Sequence, residues 1–349
     1  YFTMRRNFLV RGFALLLCTM VRGHGWDCVH DKLAPTENVR AHQRYPETNR
    51  AELRSEASAL GRLRSGHRRE GAAPIRIFFD QSQLNINLQG EEAKLAYIAT
   101  ILEEAKKIFE SMIKVLPVSG NLFVTRACTV VWTSGPNTGV CAEAKTEASC
   151  GTMPLIPEPH YMATRLVDKD GKESELPGGK GVPNTDLLVY VTASSFDDIC
   201  SQSNALAYAN ACQRDQRDRP VVAYINFCSN KVDPGHMKNG LPDPDDVRLA
   251  LHEMTHILGM SASSYAFWRD EYGEPRTPRC PGPSECESLG RPTPDGDPPI
   301  DLLGKYSVST NTVRTSINPA SAKQVKMVVT PTVQSVVRNH FNCSSLLGA

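Results

Sequence analysis

The chain has 349 residues, and its 39 Lys+Arg against 38 Asp+Glu leave a formal net charge of +1. No global charge therefore draws it to nucleic acid or to an anionic membrane. Its hydrophobic content of 40% excludes a wholly disordered chain, and its 11 cysteines are many for a reduced cytosol and point to an oxidising compartment.

Arg5, Arg6 and Arg11 precede the apolar run from Phe13 to Val21, and the small residues Gly23 and Gly25 follow it. Residues 1–25 read as a secretory signal, too short to span a bilayer, with Met4 as the start. No other stretch is apolar enough to cross, so a membrane anchor is expected only outside this chain. Residues 26–74 are rich in Arg, His, Glu and Ala and read as a polar pro-segment. Arg62, Arg64, Arg68 and Arg69 cluster at its end. They mark either a processing point or a solvated charged helix.

A globular subdomain is expected over residues 75–260. Ile75 to Phe79 reads as a strand. Leu95, Ile98, Leu102, Ala105, Phe109 and Met112 recur at helical spacing, predicting a helix over 91–116 that Pro117 ends. Residues 122–132 read as one or two strands, 186–192 and 221–228 as buried strands, and 205–212 as a short bridge. Asp243-Pro244 supplies an N-cap and a first-turn proline for a further helix, with Asp245 and Asp246 at its positive end. Its apolar stripe is Val247, Ala250, Leu251, Met254 and Leu258, and Gly259 ends it. Residues 261–349 read as an insert and an incomplete further region. Within them 269–300 look like a Pro- and Gly-rich surface excursion carrying Cys280 and Cys286, and 323–341 regain helical periodicity. There is no internal repeat. The fold class is α+β: a small twisted mixed sheet over the two helices.

Off the apolar stripe lies His252-Glu253-Met254-Thr255-His256-Ile257-Leu258-Gly259, an H-E-x-x-H-x-x-G segment. On a helix His252 and His256 stand one turn apart on one face, about 6 Å along the axis. Two neutral imidazoles so placed can share one Zn2+ ion, with Glu253 positioned as the base that takes a proton from water. Two histidines do not complete a catalytic zinc site. A third histidine three residues after the glycine is excluded, because Ala262 stands there.

Asp186-Leu-Leu-Val-Tyr-Val-Thr192, Ala207-Tyr-Ala-Asn-Ala-Cys212, Arg219-Pro-Val-Val-Ala-Tyr-Ile-Asn-Phe-Cys228 and the run from Phe267 to Arg279 resemble the leishmanolysin (M8) peptidase family, above all its animal members, from about residue 28 onward. The resemblance implies a metzincin-like zinc endopeptidase with protein or peptide substrates. It also implies roles in protein degradation and cell adhesion, membrane association, and a secreted or cell-surface location. It implies a long insert between Gly259 and the third zinc-ligating histidine. The run from His340 to Gly348 resembles a family segment that precedes that histidine. The third ligand and the Met-turn are therefore expected beyond Ala349, in a longer parent protein, and His340 is expected to be a surface or packing histidine.

Cys28-Val-His-Asp31 resembles the family's cysteine switch. A Cys28 thiolate could fill the coordination position that water needs; the alternative is a structural disulfide. Setting aside Cys18 and Cys28 leaves an odd number of cysteines, with Cys343 the natural orphan. Asn342-Cys-Ser344 is a weak glycosylation sequon. The rival to an enzyme is a secreted fold-homologue, catalytically incomplete, that binds partners in adhesion.

Overall fold

The computed structural model describes residues 3–4, 39–41, 43, 71–132, 134–261, 263–270, 273–280, 308–317 and 324–349. The apolar stretch 13–21 that reads as part of a signal, Cys28 and Cys286 lie outside them. The centre is a five-stranded sheet of β1 (Val39–Ala41), β2 (Ile77–Asp80), β3 (Leu187–Thr192), β4 (Ala207–Asp215) and β5 (Pro220–Phe227), in the spatial order β1-β4-β5-β3-β2. Only the β4/β5 pair is antiparallel; the other three pairings are parallel. β3, β4 and β5 are buried at every position, as strands covered on both faces must be.

Side chains alternate between two cores. Leu187, Val189, Val191, Ala209, Ala223 and Ile225 face two helices, α1 (Glu92–Met112) and α2 (Pro244–Ile257). Leu188, Tyr190, Tyr208, Val222 and Tyr224 face a second layer built from residues such as Leu122, Val124, Ile156 and Tyr161. Cys150–Cys212 and Cys200–Cys228 bond within that second core, and Cys128–Cys141 closes a separate hairpin. Cys343 is a free thiol. The expected mixed α+β sheet over two helices is the architecture present.

Several elements differ from their sequence patterns. α1 stops at Met112, because Ile113 turns extended (φ −104°, ψ 130°) and Ile113–Val115 pairs with Ala73–Pro74. Residues 207–215 form a nine-residue strand rather than a short bridge, since β4 finds partners on both sides. In 122–132 only Cys128–Val131 is a strand; Leu122 and Val124 make single bridges to Val182 and Tyr161. Gln324–Val328 pairs with Val313–Ile317, so the helix expected over 323–341 shortens to α3 (Pro331–His340). Pro331 fits only a helix's first turn and holds Thr330 extended, with ψ 150°. The described start of the post-motif excursion is not all surface. Thr277 and Cys280 are buried, and Arg269 and Arg279 both reach the buried Asp218 Oδ2, at 2.5 and 2.6 Å.

Candidate metal centre

Both ends of α2 are held, and that fixes the histidine pair. At the N-terminus the Asp243 carboxylate accepts from the Asp245 amide at 2.8 Å, Pro244 fills the first turn, and Asp245 and Asp246 face the positive end of the helix. Tyr97 of α1 donates its hydroxyl to Asp246 Oδ2 at 2.5 Å and ties the two helices together. Burial, then this bond, pushes the Tyr97 phenol well above its ordinary pKa. His236 Nδ1 lies 3.0 Å from the same oxygen, and that bond raises its pKa.

Beneath α2 the sheet presents alanines. Ala207, Ala209 and Ala223 belong to the same core as Ala250, Met254 and Ile257. Small side chains let helix and strands approach closely, which is why Ala207, Ala209 and Ala211 alternate with larger residues along β4. The helix is therefore more enclosed than a single apolar stripe suggests. Glu253 is 3% exposed and His256 8%, while His252 remains half-buried.

At the C-terminus Gly259 adopts φ +111°. Its amide bonds the His256 carbonyl at 3.0 Å and the Met260 amide bonds the Thr255 carbonyl at 3.1 Å, the paired bonds of a Schellman cap. The cap brings the Met260 carbonyl back to His256 Nδ1, 2.6 Å away. A carbonyl can only accept, so Nδ1 carries the proton, and in the neutral ring Nε2 carries a lone pair. Trp268 closes over the cap by donating Nε1–H to the Gly259 carbonyl at 2.9 Å.

His256 Nε2 stands 3.0 Å from His252 Nε2, with the rings 79° apart. Two nitrogens bound tetrahedrally at ~2.05 Å from zinc would be ~3.3 Å apart. The pair thus fits two corners of a zinc site with little adjustment, and a histidine oriented by a carbonyl at Nδ1 is the donor type zinc takes. Glu253, one residue on from His252, completes the set the sequence singled out. Its carboxylate contributes, after burial, to the raised pKa of Tyr224 on β5. Among the described residues no group of three or more His, Cys, Asp or Glu is poised around a metal position. His340 ends α3 with its ring against Phe341, centroids 4.7 Å apart. Cys28 lies outside the described residues. The Met260 carbonyl, the Trp268 cap and the Tyr97 tie went unread in the sequence; Gly259 predicted the chain reversal that brings the first two into place.

The described chain is thus an α+β domain that buries a glutamate between paired helical histidines. A family model described as leishmanolysin (Peptidase_M8) matches residues 170–270, which span β3, β4, β5 and α2. The chain is 30% identical over 308 residues to the leishmanolysin-like peptidase of Drosophila melanogaster, covering 82% of this chain and 41% of that protein. It is 30% identical to the Caenorhabditis elegans leishmanolysin-like peptidase over 296 residues, 80% of this chain and 42% of that one. A Xenopus laevis ciliated left-right organizer metallopeptidase is 30% identical over 196 residues, 52% of this chain and 26% of its own length. The chain is a leishmanolysin-family (M8) homologue, and it spans about two fifths of the leishmanolysin-like relatives it matches.

Proposed function

We propose that this chain carries the zinc-binding helix of a secreted metalloendopeptidase made as a zymogen. The observation that carries the reading is the His252–His256 pair, set Nε2 to Nε2 at 3.0 Å and oriented by the Met260 carbonyl, beside the buried Glu253. The metallopeptidase names of the relatives favour it over a non-catalytic binding protein of the same fold.

His252 and His256 would hold the zinc through Nε2, with a third protein ligand that the resemblance places after a long insert. When bound there, the ion supplies a Lewis acid for water and for the scissile carbonyl. Glu253 takes the proton of the attacking water on its carboxylate and hands it to the leaving amine nitrogen. Burial of Glu253 keeps bulk water from competing for that proton. Cys28, in the pro-segment over 26–74, blocks the site until the segment leaves, and Cys28→Ala raises activity before processing.

The disulfides Cys128–Cys141, Cys150–Cys212 and Cys200–Cys228 support passage through an oxidising compartment. Among the described residues no helix is long and apolar enough to cross a membrane. Cell adhesion and membrane association remain parts of the proposal that rest on family resemblance.

The test measures zinc content and casein cleavage of the purified protein. Glu253→Gln keeps the metal and loses about 10²–10⁴-fold in rate. His252→Ala with His256→Ala loses the metal. Equal zinc in the double-histidine variant and the wild type would overturn the assignment.

A further inference from the structure

The outermost strand of the catalytic sheet comes from the N-terminal segment. β1 pairs in parallel with the end of β4, Val39 opposite Gln213, Arg40 opposite Arg214 and Ala41 opposite Asp215. Ala41 is fully buried there and Gln43 is 5% exposed. Gln43 is held from both sides. Its backbone amide donates to Gln216 Oε1 at 3.0 Å, and Gln216 Nε2 donates to its carbonyl at 2.7 Å. Its own side-chain Nε2 donates to the Phe123 carbonyl at 2.7 Å, and the Phe123 amide donates to its Oε1 at 3.3 Å. Gln213 of β4 makes the same paired contact to Thr125, two residues further on, at 3.0 and 2.7 Å. One glutamine from the sheet and one from the N-terminal segment thus grip alternate residues of a single extended strip. A sheet edge offers unpaired backbone groups to any extended segment, and matched side-chain amides give this edge its selectivity.

We propose that the edge formed by Gln213–Gln216 and Phe123 is a docking surface for residues 39–43, which keep the N-terminal segment bound non-covalently after the chain is cut in the Arg62–Arg69 cluster. Processing is then two steps, cleavage and release. The proposal rests on the reading of residues 26–74 as a pro-segment, but not on the zinc switch. Gln43 is the specificity residue. A glutamate there would set a carboxylate oxygen against the Phe123 carbonyl, and a donor would be lost from a buried position.

The test uses the full chain with residues 60–66 replaced by a site for a sequence-specific protease. After cutting, native mass spectrometry and size exclusion ask whether the N-terminal piece stays with the body. It stays in the wild type and in Cys28→Ala, and Gln43→Glu weakens retention by about tenfold or more, which is ~1.4 kcal/mol. Excess peptide of residues 36–46 displaces the wild-type piece, and hydrogen exchange at Gln213–Gln216 rises when the piece is gone. The peptide and exchange readings need no variant to fold. Immediate dissociation of the wild type, unchanged retention in Gln43→Glu, or no displacement by the peptide overturns the proposal. Release by Cys28→Ala with retention in Gln43→Glu also overturns it, while leaving the cysteine switch standing.

Discussion

At the scale of single residues, backbone geometry around the motif decides more than side-chain identity. An added Cβ at Gly259 would meet nothing closer than Trp268 Nε1 at 3.5 Å, so space is not what requires glycine. The φ of +111° is, because an L side chain rarely adopts it. Gly259→Ala is therefore expected to cost about 1–2 kcal/mol. It should also loosen the cap that presents the Met260 carbonyl to His256. Zinc titration of the variant should show weaker binding even after the stability loss is allowed for; unchanged affinity would detach the cap from the metal site. His160 makes a separate prediction. Its Nδ1 lies 2.9 Å from the Tyr190 hydroxyl and its Nε2 3.7 Å from Asp80, and burial lowers its pKa more than Asp80 raises it. The fold thus prefers neutral His160, while the unfolded chain takes a proton below about pH 6.5. The stability this preference gives is complete above that pH and is lost as pH falls through and below it. Urea midpoints for His160→Gln should fall less steeply than the wild type's between about pH 7 and pH 5.

Elements were legible where their signals are local. α2 was readable because Asp243, Pro244 and Gly259 mark its ends whatever packs around it. The spacing of His252, Glu253 and His256 was readable for the same reason. β4 was not, because it sets alanines between Tyr208, Asn210 and Cys212 and carries Gln213 and Arg214 in a strand buried on both faces. Neither a polar–apolar alternation nor a continuous apolar run announces it. The Met260 carbonyl was equally invisible, since a backbone acceptor has no side-chain signature. β4's composition makes sense only against α2. Ala209 is fully buried in the core that includes Ala250 and Met254. Ala209→Leu should therefore overpack the contact and cost about 1–3 kcal/mol, unlike Leu in an ordinary strand. Denaturant unfolding measures the cost. A neutral result would show that the alanines are not what lets α2 approach.

Across the whole molecule, the sheet separates a side held by helices from a side held by loops, and the two rely on different forces. The helix side rests on continuous apolar packing. The other side is a second layer with little regular structure of its own, joined to the sheet by Cys150–Cys212 and by Asp186. That fully buried carboxylate accepts from Arg76 Nε at 2.7 Å, Arg76 Nη2 at 2.9 Å and the Val118 amide at 2.6 Å. Asp186→Ala strands these donors and should cost about 3 kcal/mol or more. The disulfides should be unequal. Cys150–Cys212 closes a loop with a sequence separation of 62, against 13 for Cys128–Cys141. Chain entropy alone gives ~4 kcal/mol for the longer loop and ~3 kcal/mol for the shorter. Position widens the gap, because Cys150 and Cys212 sit in the core whereas Cys128–Val131 is exposed along its length. Replacing Cys150 and Cys212 by Ala should lower unfolding free energy by about 4–5 kcal/mol and raise hydrogen exchange through the second layer while α2 stays protected. The same change at Cys128 and Cys141 should loosen only its hairpin. Equal losses for the two pairs would mean that Leu122, Val124 and Tyr161 hold the second layer by packing, and that the long disulfide only records their contact.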